Sequence, residues 1–176
     1  GGLYIADVLR VFANQPDLLL AVLHSLSGNW HFGTVSNEGQ IRPAYFVLQA
    51  VGHMLKGRLV KFQATTASFD VGRVGVVPET KGLPLVTGLA TLENKTLRLM
   101  LINKDLTRTT RTVVDIVGTK AAGDISVLTI DGDRVFDPTD SESKIRRRRT
   151  TLRATAEGIT ANLPAHSITF LELQLQ

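Results

Sequence analysis

Residues 18–49 read LLLAVLHSLSGNWHFGTVSNEGQIRPAYFVLQ, and three kinds of segment follow one another in them. Leu18 to Leu23 is an apolar run without alternation, the pattern of a parallel strand covered on both faces rather than one with a wet side. His24 and Ser25 break the run. Pro43 fits the first turn of a helix whose apolar face is Val47, Leu48, Val51, Met54 and Leu55, and Gly57 ends it. The connection from Ser25 to Ile41 is long for a strand-to-helix loop, which usually takes about 2–6 residues. The end of a parallel strand and the loop after it are where α/β folds place ligand chemistry. Here that loop holds Asn29, His31 and Trp30, the single tryptophan of the chain. The same loop has a plainer reading, in which Trp30 and Phe32 plug the rim of a core.

Working outward, Ile5, Val8, Leu9 and Phe12 recur at helical spacing, so Gly2 to Asn14 is expected to be an amphipathic helix, with Asp7 and Arg10 off the stripe and Asp7 solvated. Asn14 to Asp17, with Pro16, is turn chemistry that stops it. Helix, buried strand, helix is the repeating order of a parallel sheet or barrel. One strand is not a sheet, however, and no second buried parallel strand follows. Without such neighbours Ile5, Phe12, Leu20, Val22, Val51 and Met54 are expected to face solvent.

After Leu59 the pattern changes to short alternating runs divided by Gly, Pro, Asn and Asp, as in antiparallel sheets. Thr96 to Asn103 places Leu97, Leu99 and Leu101 on one face and Arg98, Met100 and Ile102 on the other, which predicts a central strand of a sandwich. Further strands are expected at Leu59–Phe69, Leu85–Leu92, Thr107–Val117, Ile125–Ile130, Thr150–Thr155, Gly158–Leu163 and Ser167–Leu175, with turns at 93–95 and 103–106. About eight strands in this length predict a β-sandwich or jelly roll, with the boundary to the α/β part near Gly57.

Composition narrows the function. The chain has 176 residues, 43% of them hydrophobic and 20% charged, which marks a globular protein of one domain or slightly more. No apolar run approaches the roughly 20 residues that span a membrane, and GGLYIADVLR lacks the features of a signal peptide. The absence of cysteine excludes disulfides and thiolate metal sites and fits a reducing, cytoplasmic setting. His24, His31, His53 and His166 lack the spacing of a metal-ligand pair, so no metal and no cofactor is expected. There is no Gly-x-Ser-x-Gly elbow around Ser25, and Gly72, Gly75 and Gly82 precede no helix that could cradle a phosphate.

The net charge of +4 is local, since Arg146 to Arg149 form one run. Acidic Asp137, Asp140 and Glu142 precede that run and no aromatics interleave it. It therefore reads as a solvated strand edge that discourages aberrant sheet pairing rather than a nucleic-acid site. Of the carboxylates in the first 57 residues, Asp7 and Asp17 sit on a helix and in a turn, and Glu38 alone lies in the long loop. A glycosidase needs two carboxyls about 5–10 Å apart, and no such pair is evident.

Five segments in order, LYIADVLRVFANQPDLLLAVLHSL (3–26), RPAYFVLQAVGHMLKG (42–57), LRLMLINKD (97–105), DPTDSESK (137–144) and LPAHSITFLEL (163–173), resemble the C-terminal third of family 51 glycoside hydrolases, the α-L-arabinofuranosidases. The resemblance covers essentially the whole chain. It implies the last helix-strand-helix of a (β/α)₈ barrel over residues 1–57, followed by an antiparallel β-sandwich over residues 58–176. Gly2–Asn14 would be the seventh barrel helix, Leu18–Ser25 the eighth strand and Pro43–Leu55 the eighth helix. It also implies a retaining mechanism whose two glutamates lie on earlier strands not contained here, so no catalytic residue is assigned to this chain. The implied partners are an upstream barrel polypeptide, an arabinose-containing glycan and further copies in an oligomer, with neither nucleic acid nor membrane. Ser25 stands about where the family tends to carry an amide, with Asn29 and Trp30 close by. His24, Ser25, Asn29 and Trp30 are accordingly the expected substrate contacts, with Trp30 offering its flat face to a sugar ring. A non-catalytic sugar-binding or docking β-module remains the alternative, and Leu18–Leu23 discriminates, because a self-sufficient module has no use for a strand buried on both faces.

Overall fold

The computed structural model describes residues 1–28, 33–134, 144–155 and 158–176. Its elements are two helices, α1 (Gly2–Ala13) and α2 (Pro43–Met54), and the strands β1 (Arg58–Val60), β2 (Ser68–Val71), β3 (Thr80–Pro84), β4 (Val86–Glu93), β5 (Thr96–Asn103), β6 (Thr110–Val114), β7 (Ala121–Gly132), β8 (Ile145–Arg153), β9 (Ile159–Leu163) and β10 (Ser167–Leu175). Six strands form one sheet in the order β1-β4-β5-β10-β7-β8, while β2 pairs with β3 and β6 with β9. Every pairing between these strands is antiparallel.

The sheet is built outward from β5, whose two faces are both apolar. Leu99 lies opposite Ala90 of β4 on one side and Leu171 of β10 on the other. Leu97, Leu99 and Leu101 join Ile125, Val127, Leu171 and Leu173 in a cluster closed by Ile159, Ala161 and Leu163 of β9. Met100 and Ile102 point the opposite way, into a second cluster with Ile168, Phe170 and the helix residues Ala6, Phe46, Val47 and Ala50. The result is a sandwich: β6 and β9 cover one face of the large sheet, and α1 and α2 cover the other. The alternation of residues 96–103 foretold this central place.

Asp7 sits where helix and sheet meet. Rather than facing solvent, its carboxylate accepts hydrogen bonds from Arg10 at 2.6 Å, Lys104 at 2.7 Å and Thr87 at 3.0 Å. The expectation of a solvated Asp7 is thus corrected. Apolar spacing hid the role because Ala6, too small to dominate a stripe, is the fully buried residue of α1 and turns its neighbour Asp7 toward the sheet. Burial pushes the Asp7 carboxyl up, but the hydrogen bonds and charges of Lys104 and Arg10 outweigh it and hold the group below its ordinary value of 3.8.

The largest departure from expectation is Leu18–Leu23, which forms no strand. Leu19, Leu20 and Val22 are 98, 76 and 81% exposed. A parallel strand needs hydrogen-bonded neighbours on both edges and cover on both faces. Among the described residues nothing offers either, so the segment runs over the surface. Phe12 is exposed as expected, whereas Ile5, Val51 and Met54 are half-buried against the helix-side cluster. The strand expected at Leu59–Phe69 is also two, β1 and β2, and β3 was not foreseen. Here Val71 pairs with Thr80 in a separate two-stranded arm, and Gly72, Gly75 and Pro78 lie between its strands. At the entry to β1, Gly57 has φ +86°, and a Cβ there would lie 2.3 Å from the Leu92 carbonyl oxygen, so glycine is required.

At the other edge, β8 begins within the arginine run. Arg146 donates to Asp131 at 2.8 Å and to Asp133 at 2.5 Å, and Arg148 also donates to Asp131, whose side chain is only 2% exposed. Arg147, of opposite parity, lies 4.2 Å from the centre of the Phe46 ring, tying the edge strand to α2. The run is therefore an exposed edge, as its composition suggested, with the added work of neutralising a buried carboxylate.

Two outcomes are expected. Leu99→Ala removes a side chain that is 4% exposed and should cost about 2–5 kcal/mol in denaturant unfolding; an unchanged midpoint would show the register to be wrong. Asp7→Asn should lower the melting temperature at pH 7. Because the folded carboxyl titrates below its unfolded value of 3.8, its stabilisation is complete above that value and is lost as pH falls through the folded one. The gap between variant and unsubstituted chain should therefore close on acidification below about pH 4, and a gap independent of pH would rule out the ionic origin.

Candidate functional site

The segment between the exposed apolar run and α2 is held by its own backbone. The Thr34 and Val35 amides donate to the Leu26 carbonyl at 3.0 and 3.1 Å, Gly28 N–H donates to Val35 at 2.9 Å, and Arg42 N–H donates to Thr34 at 2.9 Å. The Thr34 hydroxyl adds a bond to Leu26 at 2.6 Å. Isolated bridges join Val35 to Ser27 and to Ile41. Thr34 is fully buried and Ser36 nearly so, so the described residues on either side of 29–32 enclose polar side chains.

Arg42 is enclosed with them. It is 9% exposed, and its Nη1 donates to the carbonyls of Gly28 at 3.0 Å and Gly33 at 3.2 Å. Gly33 admits this approach, since a Cβ on it would stand 2.9 Å from the Gly28 oxygen and 3.1 Å from the arginine nitrogen. Reading the sequence alone missed Arg42, Thr34 and Gly33. The one available signal was an arginine directly before the proline that opens a helix.

Of the four residues expected to meet substrate, His24 is exposed and Ser25 half-buried, its hydroxyl donating to the Ser27 carbonyl. Asn29 and Trp30 lie outside the described residues, as does His31. Ser25 also lies near the turn of Gly28, whose Cα would direct a side chain to within 3.7 Å of the serine hydroxyl oxygen. Two grooves are found away from these residues. One, of about 420 Å³, runs along α1 between Leu3, Tyr4, Val8, Val11, Phe12 and Lys104. The other, of about 230 Å³, is lined by Arg10, Phe62, Pro84, Val86 and Gly88.

The chemistry of the remaining candidates is restricted. Asp7 is engaged by Lys104, Arg10 and Thr87. Glu38 and Asp17 are exposed in turns. Both ring nitrogens of His166 are taken up by carbonyl oxygens, of Leu106 at 3.0 Å and Gly132 at 2.9 Å. Among the described residues no group of three His, Asp or Glu could hold a metal ion, and no helix is long and apolar enough to cross a membrane.

No protein-family model and no curated protein matches the sequence, but solved structures do match the fold. The α-L-arabinofuranosidase of Thermotoga maritima, solved as an arabinose complex, superposes with a TM-score of 0.85 at 16% identity, over 98% of this chain and 38% of its own. The thermostable GH51 α-L-arabinofuranosidase of Thermotoga petrophila RKU-1 gives 0.84 at 16% identity with the same coverages. The GH51 arabinofuranosidase of Xanthomonas axonopodis pv. citri gives 0.79 at 18% identity, over 98% of this chain and 35% of its own. The 176 residues thus span little more than a third of these enzymes, and they have the fold of one part of the GH51 arabinofuranosidases, consistent with the C-terminal part.

Proposed function

We propose that the chain is the C-terminal segment of a retaining glycoside hydrolase that releases α-L-arabinofuranosyl residues from plant polysaccharides or oligosaccharides. In this reading residues 1–57 complete a (β/α)₈ barrel and residues 58–176 are the β-sandwich that supports it. The observation that carries the proposal is the apolar run Leu18–Leu23, exposed between two helices that both contribute to the helix-side cluster. Apolar surface removed from water stabilises by about 25 cal/mol per Å², so a run of this length is strongly driven to find cover. Adjacent parallel strands on an upstream polypeptide would supply both that cover and the missing ladder hydrogen bonds. That polypeptide would carry the two glutamates, one as acid and base and one as nucleophile. His24, Ser25, Asn29 and Trp30 would then stand at the C-terminal end of the completed eighth strand, where barrels place their substrate contacts. Association into an oligomer belongs to the same reading.

A second reading has its own support. The chain's helices and its β6–β9 pair cover both faces of the large sheet, which is what an autonomous carbohydrate-binding module would require. The two separate in solution. The purified chain should not hydrolyse an aryl arabinofuranoside, and turnover should appear when a polypeptide bearing the upstream strands and both glutamates is added, with a complex of the summed mass. Turnover by the isolated chain would overturn the proposal. Retention on arabino-oligosaccharide without any added polypeptide, and no gain from adding it, would establish the module instead.

A further inference from the structure

The β2–β3 arm carries a second concentration of exposed apolar surface. Val74, Val76 and Val77 at its tip are 67, 97 and 55% exposed. The tip has a defined backbone, because Val74 and Val77 bond each other in both directions, at 3.1 and 2.9 Å, around Gly75 and Val76. Gly75 has φ +57°, and glycine is what a tight two-residue hairpin takes at its first central position. Polar residues are the ordinary choice for the rest of such a turn, so a knob of valines in water is a cost that nothing among the described residues offsets.

The two edges of the arm differ. Between the pairs Phe69–Leu83 and Val71–Thr80, β3 has two residues, Lys81 and Gly82, where β2 has only Asp70, so the bulge lies on β3. Gly82 has φ +68°, and Lys81 and Pro84 add a charge and a missing donor, the usual means of blunting an edge. The Asp70 carboxylate turns toward β3, accepting from the Gly82 amide at 2.8 Å. β2 is regular and free of proline, and among the described residues no strand pairs with its outer side. A ribbon of two strands is marginally stable in water and gains from further strands.

We infer that the arm is a dimerisation element: the outer edge of β2 pairs antiparallel with β2 of a second copy of this chain, and each valine tip seats in the other copy's groove at Phe62, Ala64 and Pro84. A strand paired antiparallel with its own copy has a two-fold axis, and the residue on that axis meets itself. Centred on Val71, the register sets Val71 against Val71, Asp70 against Gly72, Phe69 against Arg73 and Ser68 against Val74, so no like charges fall opposite one another. Phe69 and Arg73 share a face, where a ring and a guanidinium attract. With Val74 opposite Ser68, the tip runs on along the chain that leads back to Ala64 and Phe62, which line the groove of about 230 Å³. Two ribbons then become one four-stranded sheet. This names the contact for the oligomer included in the function proposed above, and it does not use the cover of Leu18–Leu23.

The chain has no cysteine, so Val71→Cys places a single thiol at the axis. Residues directly opposite in an antiparallel ladder have Cα atoms about 4.5–5.5 Å apart, within the span of a disulfide. With oxidised glutathione this variant should form a covalent dimer, whereas Val117→Cys, 93% exposed on the β6–β7 connection, should stay largely monomeric. Mass in solution is measured by sedimentation in a chain carrying Leu20→Glu and Val22→Glu, which removes association through the exposed run. That chain should dimerise. Adding Val76→Asp, at a position 97% exposed with no contact of the fold to lose, should weaken the dimer about tenfold or more, because the new charge would be buried in it. A monomer at every concentration overturns the inference, as does a dimer indifferent to Val76→Asp or one that Val71→Cys does not link. Dependence of turnover on the upstream polypeptide is read separately, in the Val76→Asp chain, so the dimer and the proposed function can fail independently.

Discussion

A β-strand with apolar side chains on both faces has to be covered twice, and β5 imposes that requirement on the rest of the chain. Leu97, Leu99 and Leu101 need one apolar layer, and Met100 and Ile102 need another on the far side. The β6–β9 pair meets the first need and the helices meet the second, so elements distant in sequence are drawn to one sheet. Antiparallel pairing of β5 with β4 and β10 then sets the register of its neighbours. Asn103, fully buried at the end of β5, donates to the carbonyls of Arg108, Leu163 and Pro164 and accepts from the Asp105 amide, so the turn after the strand is fastened to the end of β9.

The helix layer is joined to the sheet by charge as well as by apolar contact. Lys104 and Thr87 reach Asp7 from the sheet side, and Arg147 reaches the Phe46 ring from the opposite edge. Both ties run between the two helices and the large sheet, so displacing the helices would break ionic or cation–π contacts along with the helix-side cluster. The same surface geometry leaves the loop of residues 26–42 attached directly to the start of α2, where Arg42 ends one unit and begins the other.

Much of this was legible in the sequence, for physical reasons. Periodicity located α1 and α2 to within a residue or two because their apolar faces are wide, and it gave β5, β7, β9 and β10 because alternation survives wherever a strand lies over a core. The likeness to arabinofuranosidases rested on five ordered segments, and the fold comparison agrees with it. Three things did not show. Leu18–Leu23 has the composition of a buried strand, but composition states a preference and supplies no neighbouring strands, so the segment stays exposed. Asp7 and Arg42 do their work across long sequence separations, through partners 80 and 97 residues away for Asp7 and across a loop for Arg42, and no local pattern encodes such a pairing. The β2–β3 arm was missed because a short exposed hairpin carries little apolar alternation.

The two margins of the molecule differ in what they invite. At β8, arginines line an open edge and keep foreign strands from adding to it. Residues 18–23 have no such guard: they are uncharged, free of proline and rich in leucine and valine, the composition of segments that stack between chains into cross-β structure. If the cover proposed above comes from another polypeptide, a chain released with this segment bare faces a race between two second-order processes, association with that cover and self-association, and both accelerate with concentration. Dilution alone does not favour the productive route. An early supply of the covering surface would, and on that reading the order in which the two polypeptides are made and meet would set the yield, independent of how stable the sandwich itself is.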